Sequence, residues 1–274
     1  MPLSEIERTM PGQTSKTSVT VQVALVTGAG SRVGATIARR LASSGHAVLV
    51  HYRASADGAR QVVADIEAAG GRAALVQADL CNRAERRKLV AEAAKPFGPL
   101  TLLVNNASLF ERDAATDLDE DLWDAHFGIH AEAPVFLARD FAAQLPEATE
   151  GNIVNIIDER VLHLAPSYFS YTLSKSVLWA ATRTLAQSLA PRIRVNAIGP
   201  GPTLPPPGQT EAEFEAEFEA ALQRLPLQRA ADPDDIADGL LFILSARSMT
   251  GQMLALDGGQ HIEWSPRRGP TPRQ

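Results

Sequence analysis

Val21-Gln22-Val23-Ala24-Leu25-Val26-Thr27-Gly28-Ala29-Gly30-Ser31-Arg32-Val33-Gly34 is the stretch on which the fold turns. Its first six residues form an apolar, valine-rich run of strand length. Glycines at 28, 30 and 34 then let the backbone turn sharply, and apolar residues at helical spacing follow to about Ser44, with Gly45 placed as a C-terminal cap. Strand, glycine-rich turn and helix, in that order, bring a pyrophosphate against a helix N-terminus, whose unsatisfied N–H groups favour an anion. A glycine turn can also be a mere tight connection, so the decision rests on what surrounds it.

The alternation continues outward. Ala47–Tyr52 reads as a second strand and Ala56–Ala69 as a second helix ending at Gly70-Gly71. Ala73–Gln77, Thr101–Asn105, Gly151–Ile157, Arg194–Ile198 and Met253–Leu256 read as further strands. Between them fall a charged helix, a long amphipathic helix over about Asp119–Leu145, another over Ser174–Ala190 and another over Pro233–Ser245. Strict β-α alternation predicts one α/β domain, a doubly wound parallel sheet with helices on both faces. The domain is expected over 19–264, with Met1–Ser18 a disordered leader and Ser265–Gln274 a flexible, basic, proline-rich tail.

The second strand discriminates between dinucleotides. Folds of this kind that select NAD place an acid after that strand for the ribose hydroxyls. Here the strand ends Val50-His51-Tyr52-Arg53-Ala54-Ser55, with no acid, and Arg32 stands in the glycine turn. Two guanidiniums and no carboxylate suit a 2′-phosphate, which predicts NADP(H).

A second stretch carries chemistry. Asp158 follows a β-branched run, so it falls at the carboxyl end of a strand, where open α/β sheets bind ligands. Tyr171 and Lys175 are four apart and share a helix face. A phenol beside an ammonium is expected to have its pKa lowered, which suits proton transfer. Alone, such a pair merely decorates a helix; with the glycine turn it does more.

Together these motifs resemble the short-chain dehydrogenase/reductase family over about Val21–His261. The carriers are Thr27-Gly28-x-x-x-Arg32-x-Gly34, Asp79, Asn105-Asn106-Ala107, Tyr171-x-x-x-Lys175, Pro200-Gly201, Thr250-Gly251-Gln252 and Asp257-Gly258-Gly259. The resemblance implies a single Rossmann-type domain, commonly a homotetramer, with Tyr171 as proton donor or acceptor. Lys175 would hold the nicotinamide ribose. By the same resemblance the cofactor site comprises Gly28, Arg32, Val33, Gly34, Tyr52, Arg53 and Ser55. Asp79 and Leu80 would sit at the adenine and Asn106 and Ala107 near the ribose, with Tyr171, Lys175, Pro200 and Gly201 completing the site. The segment 202–224 falls where the family carries its substrate loop, and its Phe214, Phe218 and Leu222 make one apolar stripe.

Three departures narrow the reading. The family's usual pattern has glycine where Arg32 stands, serine where Asp158 stands and asparagine where His130 falls. Arg32 and Asp158 together resemble the pteridine reductase subgroup, including bacterial dihydromonapterin and dihydrofolate reductases of this fold. Phe110 falls where that subgroup stacks a pterin, and a flat heterocycle gains from an aromatic face; ordinary core packing is the other reading of Phe110. Substrate contacts are thus expected from Phe110, Arg32 and Asp158, and catalysis from Asp158, Tyr171 and Lys175. Asp158 could relay a proton or bind an N–H-rich heterocycle. His130 is either a relay or a satisfied packing residue.

Composition bounds the alternatives. The 274 residues are 45% hydrophobic and 21% charged, ordinary for a soluble domain. A net charge of −6 argues against a nucleic-acid surface. The lone Cys81 forms no internal disulfide and fits a cytoplasmic location. No apolar run approaches about 18 residues, so no membrane span is expected. The histidines show no metal-ligand spacing, and no metal site is expected. The expected function is NADPH-dependent reduction of a pterin-like small molecule. A carbonyl or 3-oxoacyl reductase is the alternative enzyme, and an idle NADP(H)-binding regulatory protein the alternative from another class.

Overall fold

Successive residues of the first strand point to opposite sides of a sheet. Val23 and Leu25 join one apolar cluster, and Ala24 and Val26 the other. In the computed structural model, residues 21–204, 218–219 and 222–263 are described. The leader Met1–Ser18, the prolines at 205–207, Phe214 and the tail from Ser265 lie outside them.

Seven parallel strands form one sheet: β1 (Val23–Val26), β2 (Ala47–Tyr52), β3 (Arg72–Gln77), β4 (Leu102–Asn105), β5 (Gly151–Ile156), β6 (Ile193–Pro200) and β7 (Met253–Leu256), in the order β3-β2-β1-β4-β5-β6-β7. One face is covered by α1 (Arg32–Ser43), α2 (Ala56–Ala68) and α7 (Pro233–Ser245), through Ile37, Leu41, Val62, Ile66, Ile236 and Leu240. The other face is covered by α3 (Arg83–Ala93), α5 (Ala133–Gln144) and α6 (Phe169–Leu189), through Leu89, Val90, Leu137, Phe141 and Ala186. Both sides of the central strands are dry, which is why β1, β2 and β4 read as continuous apolar runs, while the edge strands β3 and β7 are only partly covered. The expected doubly wound α/β architecture is the one observed.

The chain winds outward from β1 to β3, then returns and winds the other way from β4. The carboxyl ends of β1 and β4 therefore open a crevice at the point where the order reverses, the usual ligand site of such sheets. A buried polar link braces the sheet beside it. Asn105 Nδ2 donates to Asn155 Oδ1 at 2.8 Å, and Asn155 Nδ2 donates to Thr182 Oγ1 at 2.8 Å, joining β4, β5 and α6.

The long helix expected over Asp119–Leu145 is interrupted. It runs as α4 (Glu120–Phe127), a wide π turn over Gly128–Glu132, and α5. Pro134 has no N–H to give the preceding turn and its ring crowds the carbonyl four residues back. The backbone answers by widening, with the Ala133 N–H bonded to Gly128 O, and His130 sits within the widened turn. The last helix of the site also starts earlier than its apolar spacing indicated, at Phe169, so Tyr171 lies in its first turn.

Candidate active site

A cleft of about 600 Å³ follows the carboxyl ends of the strands from Cys81 to Gln260. Its cofactor end is built by the turn after β1. Gly28 has φ +63°, and a Cβ there would stand 2.9 Å from Ala107 Cα. A Cβ on Gly34 would stand 2.4 Å from Gly28 O, so only glycine lets turn and helix close together. Asn106 Nδ2 donates to Thr27 O at 2.8 Å, and Thr27 Oγ1 accepts the N–H groups of Asn106 and Ala107 at 2.9 and 3.0 Å. The glycine turn is thereby fixed to the end of β4.

His51 fixes it from the other side, a role that sequence reasoning missed. The Gly28 N–H donates to His51 Nδ1 at 3.0 Å, which makes Nδ1 the acceptor and leaves Nε2–H to donate to Ala78 O at 3.1 Å. Burial, its largest cause, lowers the His51 pKa to about 4, so the ring stays neutral in this role. The alternation of strand residues hid it, because an inward histidine reads as an accident.

Arg32, Val33, Gly34, Tyr52, Arg53, Ser55, Leu80, Asn106, Ala107, Pro200 and Gly201 all line this cleft, as does Gly28. Asp79 does not. Its carboxylate accepts the Cys81 N–H at 2.9 Å and closes the turn after β3, while the neighbouring Leu80 faces the cleft. The absence of a carboxylate after β2, with Arg32 and Arg53 at the same end, fits a 2′-phosphate. Arg32 takes a left-handed backbone, φ 55°, where the wider family has glycine, and its Nη2 donates to Leu204 O at 3.2 Å. Arg53→Ala is expected to weaken NADPH binding on the order of tenfold and leave NADH binding alone, since a charge-assisted hydrogen bond is lost only for the phosphorylated cofactor. Calorimetry with both cofactors decides; an equal loss for both removes Arg53 from the phosphate site.

At the other end, three groups converge. Tyr171 is 4% exposed, and its hydroxyl donates to Asp158 Oδ2 at 2.8 Å. Asp158 Oδ1 accepts the Arg160 N–H at 2.9 Å, so both carboxylate oxygens are engaged. Lys175, 2% exposed, donates from Nζ to Ile156 O at 2.9 Å and lies 5.7 Å from the Tyr171 ring centre. The expected depression of the phenol pKa is overturned. Complete burial, then the charge and acceptor oxygen of Asp158, hold Tyr171 well above its ordinary 10, with Arg160 and Ser108 opposing. Lys175 is pushed down to about 8 by burial, which the Asp158 carboxylate partly offsets.

His130 resolves toward the packing reading. It is 1% exposed; the Leu109 N–H donates to its Nε2 at 3.2 Å, and the Ser108 hydroxyl lies 2.8 Å from the same atom. Nε2 is therefore an acceptor, and Nδ1–H donates to Ser174 Oγ at 2.9 Å. Burial, with Lys175 and His126 adding to it, depresses its pKa far below 6.5. A ring held neutral in this way positions Ser108 and α6 and has no spare proton to pass on.

Phe110 is half-buried and lines the cleft, but one face is covered. Tyr168 stacks on it at 4.2 Å and 12°, and the Tyr171 ring meets it edge-on at 4.8 Å. Tyr168 holds a left-handed backbone, φ 57°, just before α6, and Arg160 lies 4.9 Å over its ring. Tyr168, Arg160, Glu159 and Gln260 all line the substrate end and were not anticipated. Their signal was faint: an aromatic three residues before Tyr171, and two charged residues directly after Asp158. Asp113 clamps the same corner, accepting the Ser170 N–H at 3.2 Å and, at shorter range, the Ser170 hydroxyl. Phe218 of the apolar stripe also lines the cleft.

A sequence profile described as Enoyl-(Acyl carrier protein) reductase matches residues 28–261. An uncharacterized oxidoreductase of Methylorubrum extorquens is 38% identical over 87% of this chain and 97% of its own. A 3-oxoacyl-[acyl-carrier-protein] reductase of Synechocystis is 31% identical over 89% of this chain and 98% of its own. The crystal structure of FolM alternative dihydrofolate reductase 1 from Brucella suis in complex with NADP superposes with a TM-score of 0.86 at 49% identity, covering 91% of this chain and 98% of that one. The motifs, the sheet order and these similarities agree: the chain belongs to the short-chain dehydrogenase/reductase family and is an NADP-dependent oxidoreductase.

Proposed function

We propose that this protein is an NADPH-dependent reductase of a pterin-like heterocycle of the dihydropterin or dihydrofolate class, with Tyr171 as proton donor. The observation that carries the reading is the 2.8 Å hydrogen bond from Tyr171 to Asp158, set beside the rings of Phe110 and Tyr168. NADP(H), when bound, supplies the hydride. Tyr171 delivers its proton to the ring nitrogen beside the carbon that receives the hydride, and so completes reduction of the C=N bond. Asp158, whose side chain is 19% exposed, can then take a proton from water and return it to the phenolate across the same hydrogen bond. Lys175 keeps hydrogens free beyond its bond to Ile156 O and is assigned to the nicotinamide ribose. Phe110 and Tyr168 offer an aromatic wall for a flat substrate.

The 49% identity to the Brucella chain named an alternative dihydrofolate reductase supports this reading. The similarity to a 3-oxoacyl reductase favours a ketone substrate instead. A ketone needs a donor where Asp158 offers a carboxylate, so the acid weighs toward the heterocycle. The same reading carries a cytoplasmic homotetramer. No helix among the described residues is long and apolar enough to cross a membrane. Leu173 and Val177, four apart on α6, are 37% and 43% exposed, a surface that further copies would cover; light scattering at the mass of four chains is the check.

The deciding experiment is NADPH oxidation measured in parallel with dihydrobiopterin, dihydromonapterin, dihydrofolate and a panel of small ketones. Turnover on at least one pterin well above every ketone is expected. Reduction of ketones with none of the pterins hands the assignment to the carbonyl reading.

A further inference from the structure

Glu159 follows Asp158 and opens the short 3-10 turn Glu159–Val161. It is 3% exposed and lines the substrate end of the cleft, yet its Oε2 has no hydrogen-bond partner. Gln260 belongs to a second short turn, Gln260–Ile262, that touches the first, and it lines the same cleft. Its Oε1 is also buried without a partner. A buried polar atom without a partner is rare in a protein interior, because it forfeits its hydration for nothing, and the two touching turns each hold one. Burial is the chief reason that the Glu159 carboxyl titrates at about 8; Asp158, Asp257 and Glu263 add to it, and Arg160 opposes.

Asp158 does not fill the same need. Its oxygens already accept the Arg160 N–H and the Tyr171 hydroxyl, which commits it to the proton path. Glu159 Oε2 and Gln260 Oε1 are buried polar atoms at the cleft that no described residue occupies, and a substrate rich in N–H groups would fill them.

We propose that Glu159 and Gln260 are specificity-determining residues that accept the N–H edge of the substrate, the exocyclic amino group and neighbouring ring N–H of a 2-amino-4-oxopyrimidine. The proposal rests on the pterin reading above and deepens it. Burial leaves the Glu159 carboxyl largely protonated in the free enzyme at neutral pH. Two N–H donors favour its ionised form, so docking of the edge releases that proton to solvent and presents both oxygens, as a carboxylate presents them to a guanidinium. A site that hydrogen-bonds such an edge rejects an analogue lacking it, because its own buried groups are then left unpaired.

The test compares a dihydropterin with its analogue carrying oxygen in place of the exocyclic amino group. Native enzyme is expected to prefer the amino compound at least tenfold in kcat/KM. Glu159→Gln, which keeps the shape of the buried acid, is expected to bring that ratio close to one through a rise in KM for the amino compound, with the Kd for NADPH unchanged. Gln260→Leu is expected to act in the same direction and provides a second reading should Glu159→Gln fold poorly. If the native enzyme reduces the dihydropterin but either shows no preference or keeps it in both variants, the acceptor pair is wrong and the pterin reading stands. If the native enzyme reduces no pterin, the pterin reading fails and takes this proposal with it.

Discussion

Tyr171→Phe is expected to lower turnover by roughly a hundredfold or more while NADPH still binds. The substitution removes one oxygen and little else. The ring is packed by Phe110, His130 and His126, with centroids at 4.8, 5.2 and 5.8 Å, and phenylalanine keeps those contacts. Lys175 does not depend on the phenol for its own hydrogen bond, which goes to Ile156 O. The cofactor end is held by Thr27, His51 and Asn106, all distant in the network from the lost oxygen. Because burial and Asp158 raise the phenol pKa, the hydroxyl is protonated across the neutral range and stands loaded for donation. Single-turnover kinetics beside calorimetry of NADPH separate the two effects. Near-native turnover in the variant would mean that the proton comes from elsewhere.

The second large effect belongs to Asp158→Ser, which restores the residue of the wider family. Reduction of dihydropterin is expected to fall by roughly a hundredfold in kcat/KM, the usual loss when a group in a proton-transfer path is removed. Activity on simple ketones is expected to hold or rise, since a serine hydroxyl can donate to a carbonyl and a carboxylate cannot. The structure sharpens this expectation. Asp158 touches Tyr171 directly at 2.8 Å, so its removal leaves the buried hydroxyl without its acceptor as well as breaking the path back to water. Kinetics on both substrate classes form the measurement. Unchanged pterin turnover in the variant would exclude the relay and return the site to the carbonyl reading.

The sheet and the cofactor turn were legible because local rules govern them. An apolar run, three glycines and a helical stripe specify β1, the turn and α1 with no help from distant residues. The lack of an acid after β2 was equally readable. The interrupted helix shows where such rules stop: the apolar period passes unbroken through Pro134, and only the hydrogen bond from Ala133 to Gly128 reveals the extra width. The Tyr171 pKa was misjudged for a related reason. Sequence spacing puts Lys175 near the phenol, but it shows neither that Nζ turns to Ile156 O nor that Asp158, thirteen residues back, arrives closer. The stacking of Phe110 on Tyr168, the clamp from Asp113 to Ser170 and the support of Gly28 by His51 are long-range contacts. None has a local periodicity to betray it. Asp79 shows the opposite limit, since a motif position does not reveal that one oxygen of its carboxylate also closes the turn to Cys81.

Arg32 leaves one consequence for anyone who improves this protein. A left-handed backbone on a residue with a Cβ costs roughly 1–2 kcal/mol, a sizeable share of the 5–15 kcal/mol that separates a typical folded domain from its unfolded chain. Glycine would relieve that strain, so screens for heat resistance will tend to return glycine at position 32. Each such winner would have surrendered a guanidinium at the cofactor mouth, and a selection blind to coenzyme choice would drift toward indifference between the two nicotinamide dinucleotides while its melting curves improved.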